Sequence, residues 1–121
     1  MRVIIAGSRN CTDFNLLLEA INESGYDITT VVSGRARGVD TLGETWARQH
    51  HRPVDTYPAD WDHYGKAAGH IRNTAMAKNA DALIALLAPD SRGTANMIKQ
   101  AEKHGLKIFI KPIPTTIEEP Q

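Results

Sequence analysis

Strand-length runs that stay apolar at consecutive positions constrain this chain most. Val3-Ile4-Ile5, Val31-Val32 and Leu83 to Leu87 show no alternation of apolar and polar residues. A strand with one solvated face alternates. An unbroken apolar run is covered on both faces, as in a parallel sheet between two layers of helices. The full strand candidates are Arg2 to Ala6, Thr29 to Val32, Pro53 to Tyr57, Ala82 to Leu87 and Leu106 to Ile110.

Helical periodicity fills the gaps between them. Phe14, Leu17, Leu18 and Ile21 recur at i, i+3, i+4 and i+7, with Thr12 as the expected N-cap and Gly25 as the stop. Val39, Leu42, Trp46 and Ala47 form a second stripe that runs out near His50-His51. Ala68, Ile71, Ala75 and Met76 form a third, ended by Asn79, and Thr94, Met97, Ile98 and Ala101 a fourth, ended by Gly105. The order β-α-β-α-β-α-β-α-β with short connections predicts an α/β fold. Right-handed crossovers make it an open, parallel, five-stranded sheet with helices on both faces, and 3-2-1-4-5 is the simplest strand order. Residues 1–111 are expected to form one domain and residues 112–121, which lack periodicity, a C-terminal tail.

The chain has 121 residues, with 14 Lys+Arg balanced by 14 Asp+Glu. Zero net charge disfavours nucleic acid as a partner and gives no pull toward an anionic membrane, although a local basic patch survives such a balance. Apolar runs such as Ala82 to Ala88 fall far short of the ~20 residues of a membrane span, so no membrane partner is expected. The opening Met1 to Gly7 enters a strand pattern at once, so no signal peptide is expected there. Cys11, the single cysteine, fits a reducing compartment. A cytoplasmic location follows as the expectation.

In an open α/β sheet, ligands bind beyond the carboxyl ends of the strands where the strand order reverses, here between the first and fourth strands. The unusual residues gather in the loops at that edge. Ser33-Gly34-Arg35-Ala36-Arg37-Gly38-Val39-Asp40 is the richest. Its glycines allow a sharp turn and close backbone approach, and the helix that begins near Gly38 offers unpaired N–H groups to a phosphate. Arg35 and Arg37 add charge, and Asp40 also suits the positive end of the helix dipole. Ser91-Arg92-Gly93-Thr94 opens the fourth helix as a second anion cradle, and Gly7-Ser8-Arg9 lies beside it. Arg72 falls within the third apolar stripe, so it needs a partner, either an acid such as Asp40 or Asp60 or a place in the pocket with Asn73. Trp61 either stacks on a base or caps the core, and Lys66 can reach a phosphate or solvent.

Other chemistries find no support in the pattern. The dinucleotide fingerprint G-x-G-x-x-G, the P-loop and the G-x-S-x-G elbow are all missing. The five histidines and Cys11 show no ligand spacing, so no metal is expected, and no cofactor is implied.

Gly7-Ser8-Arg9, Ser33 to Asp40, Pro58-Ala59-Asp60-Trp61, Gly65-Lys66-Ala67-Ala68-Gly69, Arg72-Asn73 and Ser91-Arg92-Gly93-Thr94 together resemble the SLOG superfamily. Within it they resemble the YspA-related group of small stand-alone domains. The resemblance implies a Rossmann-like domain that binds a nucleotide or nucleotide-derived small molecule, with a sensor role as one form of that function. It also implies a tendency to form homo-oligomers, and ligand-binding roles for Gly7, Ser8 and Arg9, for Ser33 to Gly38 with Asp40, for Trp61, Lys66, Arg72 and Asn73, and for Ser91 to Thr94. Two better-understood groups extend it differently. The DNA-processing (Smf) proteins share S-G-x-A-R-G-[IV]-D and an Arg-Asn pair, which implies single-stranded DNA binding. The LOG phosphoribohydrolases act on nucleoside monophosphates and carry P-G-G-x-G-T-x-x-E with a catalytic glutamate. Here Gly93-Thr94 aligns with that G-T and the glutamate position falls on Met97, so an acid for such chemistry has to come from Asp40 or Glu44.

Overall fold

The computed structural model describes residues 1–114. Five strands, β1 (Arg2–Gly7), β2 (Thr30–Ser33), β3 (Val54–Thr56), β4 (Ala82–Leu87) and β5 (Lys107–Pro112), form one parallel sheet in the order β3-β2-β1-β4-β5. The order is the expected one. β1 pairs with β4 from Val3 opposite Ala82 to Gly7 opposite Leu86, so the two central strands end together.

Alternation along the apolar strands feeds two cores. Val3, Ile5, Val31, Ile84 and Leu86 face α1 (Phe14–Ser24) and α2 (Val39–Gln49), where they meet Leu17, Ala20, Val39 and Ala47. Ile4, Ala6, Val32, Leu83 and Ala85 face α4 (Ala68–Lys78) and α5 (Arg92–Lys103), against Met76, Ala77, Met97 and Ala101. Every one of these strand residues is buried, which is why neither face could afford a polar position. Each large aliphatic side chain so placed contributes about 1.5–3 kcal/mol.

Several local expectations shift. Asp13, not Thr12, caps α1, since its Oδ1 accepts from the Asn15 and Leu16 amides at 3.0 and 3.4 Å. The loop after β3 holds a short helix, α3 (Trp61–Tyr64), and a 3-10 turn (Gly65–Ala67). Its sequence, Trp61-Asp62-His63-Tyr64, has no buried residue and so no apolar period to announce it. The buried face of α4 is Ala68, Asn73, Met76 and Ala77, whereas Ile71 is exposed. The stripe is therefore rotated toward Arg72 and Asn73. β5 runs two residues past Ile110, and Ile113 packs in the core with its N–H on the Leu87 carbonyl at 3.0 Å. The tail expected from residue 112 lies, from Thr115 onward, outside the described residues.

Candidate functional site

Backbone contact between the first two loops builds the site. β1 ends at Gly7, where a Cβ would stand 2.7 Å from the Leu86 carbonyl oxygen and from Val39 Cγ2. Gly38 holds φ at 79°, and a Cβ there would overlap the Ser8 carbonyl and lie 2.6 Å from Arg9 Cα. Only glycine fits either place. The Ser8 carbonyl accepts the Val39 N–H at 3.2 Å and the Cys11 N–H at 3.3 Å, which fixes the start of α2 beside Ser8 and Arg9.

The loops after β1, β2, β3 and β4 enclose a cleft of about 790 Å³ at the carboxyl edge of the sheet. Gly7, Ser8 and Arg9 line it from the first, Gly34, Arg35, Ala36, Arg37 and Asp40 from the second. Trp61, Lys66, Arg72 and Asn73 come from the segment after β3, and Ser91, Arg92, Gly93 and Thr94 close it from β4. Ser33 and Gly38, also expected to touch ligand, do not line the cleft. Ser33 is buried and donates its hydroxyl to Glu44 Oε2 at 2.6 Å, and Gly38 is spent on the packing against Ser8. Glu44 does not line it either. Its other oxygen takes Arg35 Nη1 at 2.8 Å, so it positions Arg35 at the rim.

Arg72 and Asn73 tie the two sides together. Arg72 donates through Nη1 to the Gly34 carbonyl and through Nε to Asn73 Oδ1 at 2.9 Å. Asn73 in turn donates to Asn96 Oδ1 at 2.9 Å and to the Gly93 carbonyl at 3.3 Å. The partner of the guanidinium is thus a carbonyl and an amide. No ion pair of Arg72 with Asp40 or Asp60 occurs within 4 Å among the described residues. Burial lowers the Arg72 pKa, and the nearby Asp40 charge pulls it back up.

Two helices begin on this cleft, and neither Gly38 before α2 nor Ser91 before α5 caps its helix through a side chain. The amides of Asp40 and Thr41, and of Gly93 and Thr94, meet no acceptor among the described residues. Ser91 Oγ is buried there without a hydrogen-bond partner. Arg9, Arg37, Lys66 and Arg92 form no ion pair among the described residues, which leaves four cations for a ligand. Asp40 is buried in the wall, and desolvation pushes its pKa up to about 7 despite the lowering effects of the Ala36 N–H and of Arg72. Trp61 is 57% exposed and lies over Gly69, so it forms a ledge at the mouth and no part of the core.

The sequence pattern missed the apolar floor, Met76 and Met97, because both read as ordinary core positions. Asn10, Pro58, Ala59, Gly69, His70 and Asp90 were likewise not singled out as ligand contacts. Their only signal was adjacency to the loops that were. No group of three or more His, Cys, Asp or Glu able to hold a metal occurs among the described residues.

A model of the YspA, cpYpsA-related SLOG family matches residues 1–64. The chain is also 35% identical over 118 residues to the Gene 61 protein of Mycobacterium phage D29, a match that covers 89% of this chain and 94% of the relative. The chain belongs to the YspA, cpYpsA-related SLOG family. The fold of this SLOG protein is similar to that of DNA processing protein A (DprA) from Streptococcus pneumoniae, with a TM-score of 0.71 at 20% identity. That likeness covers 90% of this chain and 49% of DprA, so the SLOG chain spans about half of the DprA structure. It confirms the α/β, Rossmann-like architecture. No helix among the described residues is long and apolar enough to cross a membrane.

Proposed function

We propose that the cleft binds a nucleotide or nucleotide-derived small molecule and that the domain acts as a sensor of it. One observation carries this reading. Two uncapped helix starts and four unpaired cations, Arg9, Arg37, Lys66 and Arg92, converge on a single cleft of about 790 Å³ with an exposed tryptophan at its mouth. Free amides and a positive helix end favour phosphate, guanidinium groups strengthen it, and an aromatic ledge suits a flat base. Isothermal titration of nucleoside mono- and diphosphates and ADP-ribose into the folded protein is expected to give heat for at least one of them. No heat above the blank for any of them overturns the reading.

Asp40 favours a second reading, a phosphoribohydrolase-like enzyme acting on nucleoside monophosphates. A carboxyl that titrates near 7 inside a ligand cleft is suited to general acid–base work. Met97, at the position of the catalytic glutamate in LOG enzymes, lies in the floor of the cleft as a thioether, so Asp40 is the acid left to serve. Release of free base or ribose phosphate, lost in Asp40→Asn, is the expected result under this reading. Activity retained in that variant removes it.

A further inference from the structure

We propose that the outer edge of β5 pairs antiparallel with the same edge of a second copy of this chain, across a two-fold axis at Phe109, so that two five-stranded sheets join into one. Lys107-Ile108-Phe109-Ile110-Lys111 reads the same in both directions, and antiparallel pairing about its centre sets like opposite like. The cleft at the carboxyl edge plays no part in this contact.

β5 has β4 as its single neighbour in the sheet, and the opposite edge strand, β3, is only three residues long. Lys107 and Ile113 turn their N–H groups toward β4, onto the Asp81 and Leu87 carbonyls at 3.2 and 3.0 Å. Backbone direction alternates along a strand, so Ile108 and Ile110 turn both N–H and C=O outward. Those amides meet no acceptor among the described residues. The outward groups also select the register. A pairing centred on Ile110 sets the Ile108 carbonyl opposite Pro112, which has no N–H. One centred on Ile108 sets the Ile110 carbonyl opposite Leu106, whose N–H is already held by the Ala101 carbonyl at 3.0 Å. Centred on Phe109, Ile108 of each copy faces Ile110 of the other, and every outward N–H and C=O of the four isoleucines finds a partner.

Side chains on both faces fit that register. On the α5 face, Ile108 is half-buried and Ile110 is 39% exposed, and pairing lays each against the other's counterpart. On the α1 face stand Lys107, Phe109 and Lys111. A lysine on an edge strand ordinarily keeps other strands away, and two lysines directly opposite repel. Here Lys111 folds back onto α1, its Nζ 3.1 Å from Glu23 Oε1 and 3.4 Å from Glu19 Oε1, so it stands between two carboxylates. One negative charge is left over. Lys107 is exposed and forms no ion pair among the described residues. The two-fold brings Lys107 of one copy beside Lys111, Glu19 and Glu23 of the other, and each end of the seam then holds two cations and two carboxylates. The charge surplus on one end of β5 is matched by the unpaired charge on its other end, a match that only a second copy reversed in direction supplies.

The test is sedimentation equilibrium of the full chain from about 1 µM to 1 mM, where a small interface associates, with hydrogen exchange at the Ile108 and Ile110 amides read on the same samples. A dimer is expected to fill with concentration, and both amides to slow as it does. Lys107→Glu leaves three carboxylates and one lysine at each end of the seam, and Glu23→Lys leaves three lysines and one carboxylate. Each is expected to weaken the dimer about tenfold, since the two-fold counts every change twice. The two substitutions together restore two charges of each sign and are expected to restore wild-type dimerisation. Both positions are exposed, and circular dichroism confirms that the variants fold. A chain that stays monomeric throughout the range overturns the proposal, whether those amides exchange freely or are covered within the chain. A dimer whose Ile108 and Ile110 amides keep the monomer's exchange rate places the contact elsewhere and overturns it too. A double variant that recovers nothing overturns the register.

Discussion

Asp40 sets an internal cost that depends on pH. Its folded pKa of about 7 lies above the ~3.9 of an unfolded aspartate, so between those values the folded state binds the extra proton. Stability from this group is therefore fully present below about pH 4 and is lost as pH rises through 7, a tenfold difference in proton affinity being worth about 1.4 kcal/mol. Asp40→Asn keeps an acceptor for the Ala36 amide and has no proton to lose. Its stability relative to the wild type is expected to rise by a few kcal/mol between pH 5 and pH 8, as read by urea denaturation at each pH. A difference that stays flat across that window refutes the assignment. Two glycines give a sharper steric comparison. Gly38→Ala meets the Ser8 and Arg9 backbone at a positive φ and is expected to cost at least about 2 kcal/mol. Gly93→Ala meets nothing and sits in a helical turn, so its stability is expected to stay level or rise by up to about 1 kcal/mol, in the same denaturation measurement.

Helix α4 shows how far the pattern of residues could be read and where it failed. The central strands were legible because β1 and β4, with neighbours on both edges and both faces, can admit only apolar residues. The loops were legible because glycines and arginines rarely cluster for any reason but a close approach or an anion. On α4 the apolar stripe misled, since the helix buries Asn73 and leaves Ile71 in solvent. Hydrogen bonding compensates the burial of that amide, and periodicity counts only apolar residues. Ser33 and Glu44 misled in the opposite sense: polar residues beside a ligand loop turned out to be bonded to each other. Asn73→Ala removes the bond to Asn96 and the bond to the Gly93 carbonyl. A loss of about 1–3 kcal/mol is expected, with faster amide exchange in the opening turns of α5 and not in α1. Exchange raised equally in both helices counts against a local role.

For the molecule as a whole, charge is balanced but unevenly placed. The unpaired Arg9, Arg37, Lys66 and Arg92 share one rim, and their counterweights lie largely elsewhere. Extending a mononucleotide into an oligonucleotide adds phosphates outside the cleft that holds these four cations, and the chain as a whole has no excess of positive charge to draw them. Fluorescence anisotropy is therefore expected to show that a ten-nucleotide single strand gains little affinity over a mononucleotide and loses little between 50 and 200 mM salt, a range over which proteins making many phosphate contacts weaken by about 10³–10⁵. A steep salt dependence supports nucleic acid as the partner. The Arg72-Asn73 dipeptide carries a consequence at this same scale. One of its ends holds a carbonyl from the β2 side of the sheet and the other a carbonyl from the β4 side, with β1 running between them. Two neighbouring residues thus act as a spacer between jaws contributed by opposite halves of the strand order. Adjacent side chains couple the loop after β2 to the loop after β4, so a shift of either jaw bears directly on the other.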